Sequence, residues 1–400
     1  MREKWVAIGV ALVLTSLSCG PHRVVYPDQQ LPHAGTLPGQ LVVRHCGQVL
    51  ADSLVWLAYG TAGETMELQP WVVSPITRFL DRAQEGSQVP VEPFSDTCAL
   101  TAMAAPVHSV DSLHLSWYRD TLRGYFFLAA ETTWVLLADT LEVPREDYPV
   151  RLRVPARPGV YPVWMRTLQV WQWAGPATTA GQVRVEAQRR WVLAVPLAQD
   201  SVDTVIRGFP VGSYDRGPDS TWSLFLRAHR WIYRQPVPLV PVESLAQESL
   251  WVSPHFQLGE FLCHEPTDHP RFFYLEPSLL RKLEVALRIG GLADFVIMSG
   301  YRTPWYNARL GNGRFSMHTY GRAADVYVDL DGDGAMDDVN HDGKVDVQDA
   351  QWLAQLFERV EQETGLMGGI GVYDWHPKTH RTPFVHVDVR GFRARWGPWP

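Results

Sequence analysis

His318 and Asp325 stand seven residues apart in SMHTYGRAAD, a segment of the form SxHxxGxAxD. Imidazole nitrogen and carboxylate oxygen are both good zinc ligands, and the small Gly321 and Ala323 between them let a loop fold back so that both reach one ion. A third ligand has to come from a distant part of the chain. FVHVDV supplies His386, with Asp388 two residues on and therefore on the same face of a strand. Two histidines and one aspartate leave a fourth position for water, the arrangement of a catalytic rather than a structural zinc site.

These segments belong to an ordered series: FQLGEFLC, SGYRTPWYN, SMHTYGRAAD, GGIGVY and FVHVDVRGFRARW. In that order they resemble the zinc D-Ala-D-Ala carboxypeptidase and murein endopeptidase family, whose fold is shared by the hedgehog signalling domain. The resemblance covers the last third of the chain, from Ser253 to Trp396. It implies that His318, Asp325 and His386 are the zinc ligands and that Arg302 of SGYR holds substrate near the scissile bond. A guanidinium suits a peptide carboxylate or carbonyl because it donates two parallel hydrogen bonds; the competing reading of Arg302 is a structural ion pair.

The reaction implied is attack on an amide by water activated at zinc, with a carboxylate or histidine moving the proton. Several relatives carry that group two or three residues before the last zinc ligand, where this chain has Pro383 and Phe384. Asp388 is read instead as base or as the residue that orients His386. Asp374, His376 and His380 sit in the preceding loop, and His264 and His269 read as surface residues.

Just behind the Asp325 strand lies DVNHDGKVDVQD. It puts Asp338, Asn340 and Asp342 at loop positions one, three and five, Gly343 at six, the carbonyl of Lys344 at seven, Asp346 at nine and Asp349 at twelve. That is EF-hand spacing for calcium, and its terminal aspartate makes it similar to a dockerin loop. A preceding partial match in the same register offers Asp329, Asp331, Asp333 and Asp337. Its twelfth position would be Asn340, already used, so two independent complete sites are not expected. The alternative is a solvated acidic turn, in which so many aspartates would repel one another.

The elements that must position these groups follow from periodicity. EPSLLRKLEVALRIGG places Leu279, Leu280, Leu283, Ala286 and Leu287 at helical spacing, with Pro277 at its start and Gly290 and Gly291 at its end. AQWLAQLFERVEQETG predicts a second helix, with Trp352, Leu356 and Val360 on one face. FVIM, RAADVYVD and FVHVDVRG read as strands. Further upstream, SLHLSWY, GYFFLAA, TWVLLAD, QVRVEAQ and RWVLAVPL are short runs of β-branched and aromatic residues, which predict antiparallel strands.

Eight aspartates against one lysine between Asp329 and Asp349 account for the whole formal net charge of −7. The rest of the chain is near neutral, with no basic stretch that would suggest nucleic acid as a partner. The first residues run from Arg2 and Lys4 through WVAIGVALVL to TSLSCG, the order of a secretory leader and too short for a comfortable membrane span. Cys19 resembles the lipidated cysteine of a bacterial lipoprotein, although Ser16 stands where that signal prefers leucine; simple cleavage nearby is the alternative. Cys46 and Cys98 are candidates for a disulfide in an oxidising compartment, which leaves Cys263 alone.

The sequence therefore reads as multidomain. A leader at 1–19 and a tether at 20–37 precede an N-terminal all-β, sandwich-like region at 38–234, of one or two domains. A linker at 235–252 leads to a C-terminal α+β zinc peptidase domain of hedgehog/D-Ala-D-Ala peptidase type at 253–400, with the calcium loop inserted at 329–349. The expected protein is an exported metallopeptidase of the cell envelope, with zinc and calcium bound and peptidoglycan peptides as substrate, attached to membrane if Cys19 is lipidated. A catalytically inactive zinc- and calcium-stabilised binding module is the rival, and a β region that does the binding itself is a third reading.

Overall fold

The computed structural model describes residues 34–46, 48–73, 101–103, 113–118, 150–173, 181–198, 205–214, 227, 229–233, 237–265, 268–375 and 382–399. The leader, Cys19, Cys98 and the predicted strands GYFFLAA and TWVLLAD lie outside these residues, as does the Cys46–Cys98 pairing. Cys46 is exposed and Cys263 buried. No helix among the described residues is long and apolar enough to cross a membrane.

The chain divides into two compact units. The first comprises Met1–Asp52, Met66–Leu152 and Val163–Arg190, and its described residues are in β-strands apart from Cys46 and Asp52. Ala34–His45 pairs antiparallel with Thr65–Val73 but parallel with Gly181–Val195, from Ala34↔Gln182 to Gln40↔Gln188. Leu113–Tyr118 likewise runs antiparallel to Thr101–Met103 and parallel to Gly159–Trp173. The region is β-rich as its composition predicts, but the antiparallel pairing expected throughout is not what forms. Strands far apart in sequence are joined by long connections, so no hairpin turn dictates their direction.

The second unit comprises Ser53–Thr65, Arg153–Pro162 and Trp191–Pro400. Two short stretches from the β-rich part of the sequence therefore fold into it, Leu57–Tyr59 running parallel to the strand segment at Val192–Ala194. Part of the expected linker does too. Val240–Val242 is a strand paired with Arg271–Phe273, and all three of its residues are buried. Its alternation of valine with proline looks like a tether in sequence, yet both valines fill the core and the proline sits where a two-stranded ribbon tolerates a missing N–H.

The centre of this unit is a five-stranded sheet. Its strands are β1 (Val296–Ser299), β2 (Ala323–Tyr327), β3 (Gly369–Tyr373), β4 (Phe384–Asp388) and β5 (Ala394–Trp396), in the order β1-β2-β4-β3-β5. All neighbours are antiparallel except β3 and β5. Helix α1 (Pro277–Gly290) starts with Pro277 in its first turn and stops at Gly291 in the left-handed conformation, as its sequence signals predict. Helix α2 (Val347–Thr364) buries Ala350, Leu353, Ala354, Leu356, Phe357 and Val360, with Trp352 only half-buried. It packs on β3, β4 and α1.

Alternation along the strands separates two chemistries. Ala324 and Val326 of β2, Val385 and Val387 of β4, and Ile370 and Val372 of β3 are buried and apolar. Their neighbours in sequence point to the opposite face and carry Asp325, His386 and Asp388. One face thus belongs to the core and the other to the site.

Candidate metal centre

Strand register lines up the site. Ser299 pairs with Asp325, Asp325 with His386, His386 with Gly371, and Gly371 with Trp396, so these five residues form one row across the sheet. His318 approaches from a separate element, the single 3-10 turn Met317–Tyr320 that ends on Gly321. Gly321 adopts φ +61°, and a methyl group there would overlap the carbonyl of Tyr274. Only glycine gives the close turn that returns the chain to β2 with His318 over Asp325.

His318 Nε2 lies 3.1 Å from Asp325 Oδ1 and 3.1 Å from His386 Nδ1, and His386 Nδ1 lies 2.9 Å from Asp325 Oδ1. All three side chains are buried. The other ring nitrogens fix the proton positions. His318 Nδ1 is 2.7 Å from the carbonyl oxygen of Gly300, which can only accept, so Nδ1 carries the hydrogen and Nε2 the lone pair. His386 Nε2 is 3.2 Å from Asp388 Oδ2. Burial alone would raise the Asp388 carboxyl, but His386 and Arg390 beside it hold it well below the usual range, so it is an acceptor and His386 Nδ1 is left with the lone pair.

Burial pushes the His386 pKa down, but the Asp325 and Asp388 carboxylates outweigh it and raise it; with both rings neutral, as ligands must be, two lone pairs and a carboxylate oxygen converge on one point. Such an arrangement is repulsive without a cation. For a tetrahedral ion with ligand distances of about 2.0–2.1 Å, ligand atoms are about 3.3 Å apart, close to the separations here. The donor set fits zinc. Burial and the Arg302 charge push the His318 pKa down, against the pull of Asp325, keeping its ring neutral as a ligand must be.

Arg302 is not turned to open solvent. Its Nε donates to Ser299 Oγ at 2.8 Å and one terminal nitrogen donates to Asp325 Oδ2. Oδ1 of Asp325 faces the histidines while Oδ2 is held in an ion pair by Arg302. Asp388 is fully buried, and its carboxylate also accepts from Gly369 N at 2.7 Å and from the Arg390 guanidinium. It touches the ring nitrogen of His386 that faces away from the ligand cluster, the position of an orienting group. Of the alternatives, Asp374 is exposed, and His376 and His380 lie outside the described residues. His264 is exposed as expected. His269 is half-buried, with Nε2 3.0 Å from Glu248 Oε1, because Glu248 also gathers Arg271 there.

Sequence reasoning missed the layer beneath. Lys282 of α1 is fully buried, and its Nζ donates to Glu361 Oε1 at 2.7 Å and to the Asp388 carbonyl at 2.9 Å. Glu361 Oε1 also accepts from Gly368 N at 2.9 Å, and its Oε2 from Arg395. A lysine on the apolar stripe between Leu279 and Leu283 was the available signal.

The acidic insertion holds two loops of matching form, nine residues apart. Asp329 Oδ1 accepts from Gly332 N at 2.7 Å and Asp333 N at 3.1 Å, and its Oδ2 from Gly334 N at 2.9 Å. In the second loop Asp338 Oδ1 accepts from Asp342 N at 3.0 Å and Oδ2 from Gly343 N at 2.8 Å. Asp331 and Asn340 each accept from the residue two positions on, as do Asp333 and Asp342. Carboxylate oxygens of Asp329, Asp331 and Asp333 lie within 4.8 Å of one another. Asp337 Oδ2 closes the first loop onto Leu330 N at 2.6 Å. Asp346 and Asp349 cap the start of α2 reciprocally, and Asp349 Oδ1 also accepts from Asn340 N at 3.3 Å.

A model of the Peptidase M15 family matches residues 254–341. The match takes in Arg302, His318, Asp325 and the first acidic loop; His386 lies beyond it and joins the group only through the fold. Searches of curated proteins and of solved structures found no match.

Proposed function

With a Peptidase M15 domain at residues 254–341 and a buried His318, Asp325 and His386 group fit for zinc, we propose that this chain is an exported zinc metallopeptidase that hydrolyses D-amino-acid-containing peptide bonds of peptidoglycan, as a D,D-carboxypeptidase or a murein endopeptidase. The observation that carries this reading is the convergence of two imidazole lone pairs and one carboxylate oxygen within 3.1 Å. Bound zinc would supply polarisation of an amide carbonyl and activation of water near neutral pH.

The protein's own groups do the rest of the positioning. Gly300 O and Asp388 fix the two imidazole tautomers, and Arg302 fixes the rotation of the Asp325 carboxylate. Asp388 acts here as a positioning residue, since its carboxylate is spent on His386, Arg390 and Gly369. The leader and Cys19 motif support export, with the envelope as the place of work and membrane attachment if Cys19 is lipidated. Calcium as a second, structural ion rests on the EF-hand-like spacing of the acidic insertion.

A binding module without turnover is the second reading. One observation favours it: of Pro383 and Phe384, which stand where several relatives carry a proton-transferring group, Phe384 is stacked on Tyr373 with ring centroids 4.5 Å apart. Digestion of purified muropeptides by the zinc-loaded protein, read by mass spectrometry, separates the two.

A further inference from the structure

Trp396 occupies a place that the strand register makes for it. It pairs with Gly371, which pairs in turn with His386, so a side chain on Gly371 would stand between the indole and the imidazole. There is none. A methyl group on Gly371 would run into the indole ring, and one on Gly369, two residues back on the same face, would meet the same ring and the Asp388 carboxylate. The indole therefore lies across a strip of bare backbone and reaches His386, with ring centroids 5.1 Å apart.

The indole continues into a second aromatic group. Trp396 Nε1 donates to the Tyr373 hydroxyl at 2.9 Å, and Tyr373 stacks on Phe384 with the planes 2° from parallel. Trp396 is half-buried and Tyr373 is 39% exposed, so this surface begins at a zinc-ligand candidate and opens to solvent. Among the described residues that form it, no side chain carries a free charge. The Arg390 guanidinium lies 5.4 Å from the indole centroid but is paired with Asp388. What the described residues leave there is aromatic carbon and one phenol hydroxyl.

We propose that Trp396 and Tyr373 form the specificity-determining wall of the substrate site, taking the uncharged aliphatic side chain of a residue that flanks the scissile amide. This rests on the peptidase reading above. An aromatic wall attracts aliphatic groups through area removed from water and holds no countercharge for an ionised side chain. Because Gly371 sets the indole's position, it is part of the same device.

The test uses two series of acetylated peptides in which the residue on the amino side, and then on the carboxyl side, of the cleaved bond is Gly, D-Ala or D-Leu. Zinc-loaded wild type is expected to prefer D-Leu to Gly in one series by roughly tenfold or more in kcat/KM. In Trp396→Ala that ratio falls toward one, chiefly through KM. Gly371→Ala does the same by displacing the ring, and the double variant is no worse than Trp396→Ala alone. A ratio that both variants leave unchanged overturns the wall while the peptidase reading stands. Loss of zinc from folded Trp396→Ala, measured as metal per chain, would assign the indole to support of His386 and also overturn it. Wild type that cuts no peptide of either series overturns this inference, and the peptidase reading with it when muropeptides are also left intact.

Discussion

His386 presents its two ring nitrogens to two carboxylates: Nδ1 lies 2.9 Å from Asp325 and Nε2 3.2 Å from Asp388. The second contact makes the first nitrogen a ligand, because a ring that donates through Nε2 has its lone pair on Nδ1. Asp388→Asn, which keeps the shape and removes the charge, is expected to weaken zinc binding about 10- to 100-fold, the range for such orienting groups. Competition against a chelator of known affinity measures it, with circular dichroism to show the variant folded. An unchanged zinc affinity would remove Asp388 from the metal site.

Lys282 and Glu361 are buried beneath the same strand end. Removing one member of a buried pair leaves an uncompensated charge, so Lys282→Met should destabilise the domain by about 3 kcal/mol. The low end of the usual range is expected because Glu361 keeps Gly368 N and Arg395 as partners. Chemical denaturation of the metal-loaded protein reads the change, and a loss below about 1 kcal/mol would mean the pair behaves like a surface one.

Much of this site was legible in the chain, for identifiable reasons. Helix α1 could be read at both ends because Pro277 and Gly291 each have one strong conformational preference. His318, Asp325 and His386 were legible because liganding chemistry needs particular side chains at particular spacings. Register was not legible. Nothing local says that Gly371 falls between His386 and Trp396, since pairing is decided by the whole sheet. Val240 and Val242 were hidden by the prolines around them, and the pairing of Arg302 with Asp325 could not be read from the spacing of the two residues.

Glu260 gives a pH dependence away from the metal. Burial pushes its carboxyl up to about 7, against the hydrogen bond it accepts from Gln257 N. The folded state thus keeps a proton that the unfolded chain gives up at an ordinary carboxyl pKa, and stability is fullest below that value and falls as pH rises toward 7. Glu260→Gln should lower the dependence of Tm on pH between 5 and 8, with the variant gaining on wild type toward the alkaline end. Parallel Tm curves for the two proteins would contradict the assignment.

The acidic insertion makes a separate prediction. At fixed zinc, calcium is expected to raise Tm, and a calcium-selective chelator to lower it, since an ion that binds only the folded loops stabilises by mass action. Asp333→Ala and Asp342→Ala, one in each loop, should each reduce the shift. No shift in wild type would leave the two loops as solvated turns held by their own Asx hydrogen bonds.

Hydrolysis by this protein depends on the His318, Asp325 and His386 group. Its most direct test is digestion of purified cross-linked and pentapeptide muropeptides by the full chain loaded with one zinc per molecule, beside His318→Ala, with products read by mass spectrometry. Loss of terminal D-alanine or splitting of cross-links by wild type alone is the predicted result. Zinc-loaded, folded wild type that leaves every muropeptide intact would contradict it.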